Sequence, residues 1–187
     1  MVSRRILYLL LFTLSFSNLC LAQSKAIYLS ISGITLGQKI SSDEILYHFR
    51  NYDTEVFYQS QTTLWLLFKK SGGCYFDDIP MPISRMDFIM ENGILRSFEL
   101  RSADIGYKEY HHDVYNYIYA QYGIHDVGPY EYYPNHPFEW LGANGVKLSL
   151  LIEYLGNSKF LHLKCEGSVK SSSKLQSILE KLNNNAL

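Results

Sequence analysis

SRMDFIMENGILRSFELR, residues 84–101, is the stretch that decides the fold. Apolar and charged residues alternate on both sides of Asn92-Gly93, which reads as two antiparallel strands joined by a tight turn. Two registers compete. A two-residue Asn-Gly loop sets Phe88 opposite Ser97 and Met86 opposite Glu99, mixing polar and apolar side chains on one face. A three-residue loop over Glu91-Asn92-Gly93, with Gly93 left-handed in a bulge, pairs Met90 with Ile94 and Met86 with Phe98. It also sets Arg85 opposite Glu99 and Asp87 opposite Ser97. A slip of one residue turns every side chain over, so clean separation of the faces selects the three-residue loop. Met86, Phe88, Met90, Ile94 and Phe98 are then expected on one face.

Towards the N-terminus, 27–32 reads as a short strand and Gly33-Ile34-Thr35-Leu36-Gly37 as a turn-rich connector. Ser41-Ser42-Asp43-Glu44 is a capping box, opening a helix to about Asn51 with Ile45, Leu46 and Phe49 as its apolar stripe. Strands follow near 54–59 and 63–70. Leu64, Leu66 and Phe68 share one face of the second and Trp65 and Leu67 the other, which predicts a central strand covered on both sides. Cys74 to Asp77 is a further strand. Pro80 and Pro82 lack ladder donors, so 79–83 reads as an edge or a loop.

On the C-terminal side, a helix is expected over 105–122, ending at Gly123. Residues 124–140, rich in Pro, Tyr and Asp, read as a long loop. Val146, Leu148, Leu150, Ile152 and Tyr154 alternate with polar residues as a strand, and Gly156-Asn157-Ser158 turns it into another at 159–166. A last helix carries Leu175, Ile178, Leu179 and Leu182. Helix followed by meander occurs twice. The expected fold is therefore α+β, an antiparallel sheet with helices packed on one face, in repeat-like halves at about 27–101 and 102–187.

The Gly33–Gly37 stretch, the capped helix, the Asn-Gly hairpin and the helix ending Gln121-Tyr122-Gly123 together resemble small exported proteins built on helix-plus-meander repeats. The β-lactamase inhibitor proteins and the small outer-membrane assembly lipoproteins are of this kind. The resemblance implies a protein-binding role and no enzymatic activity. It carries over no binding residue.

Residues 1–22 read as a secretory signal peptide. Arg4 and Arg5 precede an apolar run from Ile6 to Phe16, and Cys20-Leu21-Ala22 places small residues at the cleavage site. Cleavage after Ala22 leaves 165 of the 187 residues, one domain's worth. The run is too short to span a bilayer. Lipidation of Cys20 is the lesser reading, because Leu19 precedes it where a small residue is wanted. The expected location is periplasmic or secreted. Removing Arg4 and Arg5 from 17 basic residues leaves 15 against 18 acidic, a net charge of −3 with no basic stripe. That argues against nucleic acid and anionic membrane surfaces. Cys74 and Cys165 form an even pair in an oxidising compartment, so a disulfide and two buried thiols both stand as outcomes.

No trustworthy catalytic motif, cofactor motif or metal spacing is present. His111 and His112 are neighbours on a helix and point about 100° apart, which is poor for chelating one ion. His125, Asp126, His136, Glu131 and Glu139 lie in the long loop without fixed ligand spacing. His162 and Cys165 are three apart on a strand and face opposite sides. Tyr130, Tyr132, Tyr133, Phe138 and Trp140 form an aromatic cluster of interface composition and are the expected binding residues. The expected function is a non-enzymatic binding or adaptor module for a protein partner. The alternatives are a glycan-binding module using the Tyr-rich loop and, behind it, a small metal-dependent hydrolase.

Overall fold

The computed structural model describes residues 25–70, 72–76, 79–106, 110–129 and 135–167. The expected signal peptide, the C-terminal helix and Tyr130, Tyr132 and Tyr133 lie outside them. In chain order the elements are β1 (Ser30–Ile31), β2 (Ile34–Thr35), α1 (Ser42–His48), β3 (Thr54–Gln59), β4 (Thr63–Phe68), β5 (Cys74–Phe76) and β6 (Ile79–Glu91). Then come β7 (Ile94–Ser102), α2 (Tyr110–Tyr122), β8 (Phe138–Leu141), β9 (Val146–Leu155) and β10 (Ser158–Gly167). One antiparallel sheet runs β3-β4-β6-β7-β10-β9-β8, with β5 beside the start of β6. Two meanders, β3 to β7 and β8 to β10, join where β7 pairs with β10.

The described residues are mostly β, which overturns the expected α+β layering of helices on a sheet face. The reason is size. α1 has 7 residues and buries Ser42 and Ile45, and α2 has 13 and buries only Val114 and Ile118. The seven-strand path is ~29 Å wide at the usual strand spacing, more than two such helices can tile. The N-terminal ribbon adds cover. Ile27, Leu29, Ile31, Ile34 and Ile40 join the same apolar core. Asn144 holds both backbone groups of Ile27, and Gly37, Gln38 and Ile40 bond to the hairpin at Leu95 and Gly93. No helix among the described residues is long and apolar enough to cross a membrane.

The hairpin corrects the register chosen above. Asn92 and Gly93 stand at φ 55° and 71°, a two-residue turn with Glu91 opposite Ile94 and Met90 opposite Leu95. A bulge at Arg96 then shifts the pairing by one, so that Phe88 meets Phe98 and Met86 meets Leu100. The turn keeps its favoured left-handed Asn-Gly geometry and the faces still separate, because the bulge absorbs the extra residue. Ile94 is only half-buried, and Leu95 takes the inward place expected of it.

Smaller differences have local causes. The first strand is cut short by a turn at Ser32-Gly33 (φ 49° and 79°), and part of the connector becomes β2. Residues 79–83 belong to β6 and form an edge, as the prolines suggested, and not a loop. The prolines are tolerated because β6 has only β5 beside it there, its pairing with β7 ending at Ile83 and Ser102. The 124–140 segment contains β8. β4 is covered on one face: Leu64, Leu66 and Phe68 are buried, while Trp65 and Leu67 are half-buried on the other. The capping box of α1 forms as read, with Ser41 N donating to Glu44 Oε2 at 2.7 Å and Glu44 N to Ser41 Oγ at 3.3 Å.

On the covered face two apolar rows cross six strands. Leu64, Phe88, Phe98, Cys165, Leu148 and Trp140 stand in register, and beside them Leu66, Met86, Leu100, Leu163, Leu150 and Phe138. Every one of these is at most 8% exposed. Full burial of such side chains contributes about 1.5–3 kcal/mol each, which makes these rows the main source of stability.

Candidate functional site

The residues one place along each strand point to the other face, which no second layer of described residues covers. Register places Tyr58, Trp65, Asp87, Glu99, Lys164, Ser149 and Glu139 in a single row across seven strands. A second row holds Glu55, Leu67, Arg85, Arg101, His162 and Leu151.

Like charges oppose each other directly in these rows, Arg85 with Arg101 and Asp87 with Glu99, an arrangement that costs energy unless bridged. The bridges run along and across the strands. Arg85 Nε donates to Asp87 Oδ1 at 2.6 Å, and Arg101 Nε lies 3.9 Å from Asp87 Oδ2 and 2.9 Å from Glu99 Oε1. The Arg101 N–H is not aimed at either oxygen, so these two are ion pairs without a full hydrogen bond. His162 closes the chain, its Nδ1 2.9 Å from Glu99 and its Nε2 2.9 Å from Glu153. The carboxyl of Glu99 sits below its ordinary range, chiefly because His162 donates to it; burial opposes the shift and Arg101 adds to it. Beyond lies a second cluster in which Lys147 bridges Glu139 at 3.4 Å and Glu166 at 2.8 Å.

At the β3–β4 end the face turns aromatic. Phe57 stacks on Trp65 with centroids 6.0 Å apart and planes 13° from parallel, and Tyr58 packs against the same ring at 5.1 Å. The Arg85 guanidinium lies 4.6 Å from the Trp65 ring, which links the rings to the charge ladder. The exposed face thus presents aromatic and arginine side chains already held by one another.

The sequence-derived binding residues fare differently. Phe138 and Trp140 are core residues of the covered face, at 8% and 1% exposure, so neither presents a ring to a partner. Trp140 Nε1 donates to Gly123 O at 2.9 Å and its ring packs against Tyr115. The alternation of β8 explains this: Phe138 and Trp140 share a face, and Glu139 between them points to the other. Cys74 and Cys165 are both free and buried, so the disulfide does not form. Three strand spacings, roughly 14 Å, separate them across the sheet, and four residues of β7 (Phe98 to Ser102) separate them along it, where a bridge needs about 7 Å or less between Cα atoms. Burial pushes the Cys165 thiol up to about 12, far from a nucleophilic thiolate.

The histidines gather near one another without forming a metal centre. The His111 and His112 rings lie 4.1 Å apart, closer than their divergence on the helix suggests. Tyr115 Oη and His125 Nδ1 are 3.0 Å apart. These residues, with Phe138, Leu150 and Ile152, line a cavity of about 190 Å³. Ligand pockets usually measure ~300–1,000 Å³, so this one is small. Among the described residues no group of three or more His, Cys, Asp and Glu side chains could hold a metal ion.

Sequence reading named none of Trp65, Arg85, Arg101 and His162 as a site. A signal existed: Arg85 and Asp87, Glu99 and Arg101, and His162, Lys164 and Glu166 all recur at spacing two, which stacks charge on one face of a strand. Comparison with protein-family models, with curated proteins and with solved structures finds no match.

Proposed function

We propose that the chain is a non-enzymatic binding module for a protein partner, working outside the cytosol, with the open sheet face as its recognition surface. The observation that carries the reading is the row from Tyr58 through Trp65 and Asp87 to Glu139, flanked by Arg85 and Arg101. Trp, Tyr and Arg dominate the energetics of protein interfaces. Side chains held by stacking and ion pairs before contact lose less entropy on binding. Seven strands by about six residues make a face of roughly 600 Å², close to the ~800 Å² per partner of a standard interface. The resemblance to exported protein binders points the same way.

The test is a double change on the face, Trp65→Ala with Arg85→Ala, introduced in the native host. A protein that co-purifies with the unaltered chain should fall at least tenfold in recovery, while the circular dichroism of the purified variant stays unchanged. Equal recovery from a folded double variant contradicts the reading.

A further inference from the structure

Two Asn-Gly pairs occur in this chain, Asn92-Gly93 and Asn144-Gly145, and each sits in a turn between antiparallel strands. Glycine has no Cβ to shield its nitrogen, so the preceding asparagine side chain is open to attack by it. The two pairs are held differently. Asn144 is half-buried with both ends of its amide occupied: Oδ1 accepts from Ile27 N at 3.1 Å and Nδ2 donates to Ile27 O at 2.8 Å. Gly145 N donates to Gly142 O at 2.9 Å. Asn92 lies exposed at the tip of the β6–β7 hairpin, and its amide bonds to no described residue. Gly93 N donates to none of them either, and the space a Cβ would take there is open. Gly93 O alone is engaged, accepting from Ile40 N at 2.9 Å. With Leu95 N to Gln38 O at 2.9 Å and Gly37 N to Leu95 O at 2.8 Å, that bond clasps the N-terminal ribbon to the hairpin.

We propose that Asn92 is a site of spontaneous modification, and that its conversion to isoaspartate releases the clasp. Gly93 N attacks Asn92 Cγ. The N–Cγ bond forms, the Cγ–Nδ2 bond breaks, and ammonia leaves with the proton from Gly93 N. Water then opens the cyclic imide. Opening at Cγ gives aspartate, and opening at the main-chain carbonyl of Asn92 gives isoaspartate, whose main chain runs through Cβ and Cγ. One water enters, one ammonia leaves, and nothing is oxidised or reduced. In the closed turn Asn92 and Gly93 stand at φ 55° and 71°, so ring closure waits for the tip to open. Segments open most readily where few bonds hold them, and closure needs the nucleophile brought onto the carbon. Asn92 meets both conditions. Asn144 reacts only after its bonds to Ile27 and the Gly142–Gly145 bond are broken. Isoaspartate lengthens the main chain by one carbon immediately before Gly93, which carries Gly93 O away from Ile40 N. The proposal does not depend on what the open face binds.

Peptide mapping by mass spectrometry tests it, on the purified full chain aged for weeks in warm, mildly alkaline buffer. The expected result is amide-to-acid conversion at residue 92 at least ~10-fold faster than at residue 144. Gly93→Ala shields the attacking nitrogen and should slow conversion at residue 92 about tenfold, leaving residue 144 unchanged. The isoaspartyl form, separated by its added negative charge, should exchange the Ile40 and Leu95 amide hydrogens about tenfold faster than the unaged chain, with the Ile27 amide unchanged. Conversion at residue 144 as fast as at residue 92 overturns the proposal. So does a folded chain that stays unconverted at residue 92 while the urea-unfolded chain converts there. An isoaspartyl form whose Ile40 amide exchanges at the unaged rate overturns the release of the clasp.

Discussion

The covered and open faces of this sheet are built from the same strands, one residue out of step, and they are held by different forces. On the covered face Leu64, Phe88, Phe98, Cys165, Leu148 and Trp140 form a row that excludes water. One residue along, Trp65, Asp87, Glu99, Lys164, Ser149 and Glu139 form a row that meets it. The first row gains from burial, which is large and non-directional. The second is held by ion pairs and ring contacts that are individually small when partly exposed, about 0–1 kcal/mol each. The contrast teaches that order on the open face is not the source of the fold's stability. An ordered but energetically minor lattice is what an interface needs and what a core does not.

The contrast is sharpest on deletion. Phe88→Ala removes a fully buried ring in contact with Phe49 and opposite Phe98, and should cost about 3–5 kcal/mol in urea unfolding. Glu99→Gln on the open face unpairs Arg101 and His162 and should cost about 1–2 kcal/mol near neutral pH, since these contacts are only partly shielded from water. The effect should depend on pH with a defined sign. The folded carboxyl is held below its unfolded value, so its contribution is complete above that value, near ~4.3, and is lost as pH falls through the folded one. Unfolding at pH 7 and pH 3 should show the gap between the unaltered chain and the Glu99→Gln variant closing at the lower pH. A gap that widens on acidification would break the ladder's description.

How far the sequence leads also differs between the faces. The apolar alternation of 84–101 and 146–154 was legible because burial demands it at every second position. The capping box of α1 was legible because its chemistry is local. The hairpin register was not, although both of its determinants were visible. Asn92-Gly93 favoured a two-residue turn and Phe88 and Phe98 favoured clean faces, and nothing local announces the bulge at Arg96 that satisfies both. The helix-covered α+β fold failed because periodicity reports a helix but not how much of a sheet it covers. Phe138 and Trp140 were not legible as core residues because they sit in a stretch whose composition reads as loop, and strand alternation turns them inward. The open-face ladder depends on which strands become neighbours. β7 and β10 meet across a long stretch of chain, so the approach of Glu99 to His162 could not be read from either strand alone.

Two smaller effects refine the comparison. Gly93→Ala places a Cβ at φ 71° with open space around it, so only backbone strain counts and the loss should be about 1 kcal/mol by thermal unfolding. Trp65→Ala should lower stability by about 0.5–1 kcal/mol, since the ring's partners Phe57, Tyr58 and Arg85 are themselves at the surface. A cost at Trp65 near that of Phe88 would mean the open face is part of the core.

The claim that the open face meets a protein partner is tested most directly by site-specific photocrosslinking in the native host. Ile89 and Leu141, both 46% exposed on that face, would each be replaced by a photoreactive phenylalanine, with Tyr119 of α2, 51% exposed, as the comparison site. The account predicts one adduct of the same mass from both Ile89 and Leu141, and none from Tyr119. An adduct from Tyr119 with no adduct from either open-face position would contradict it.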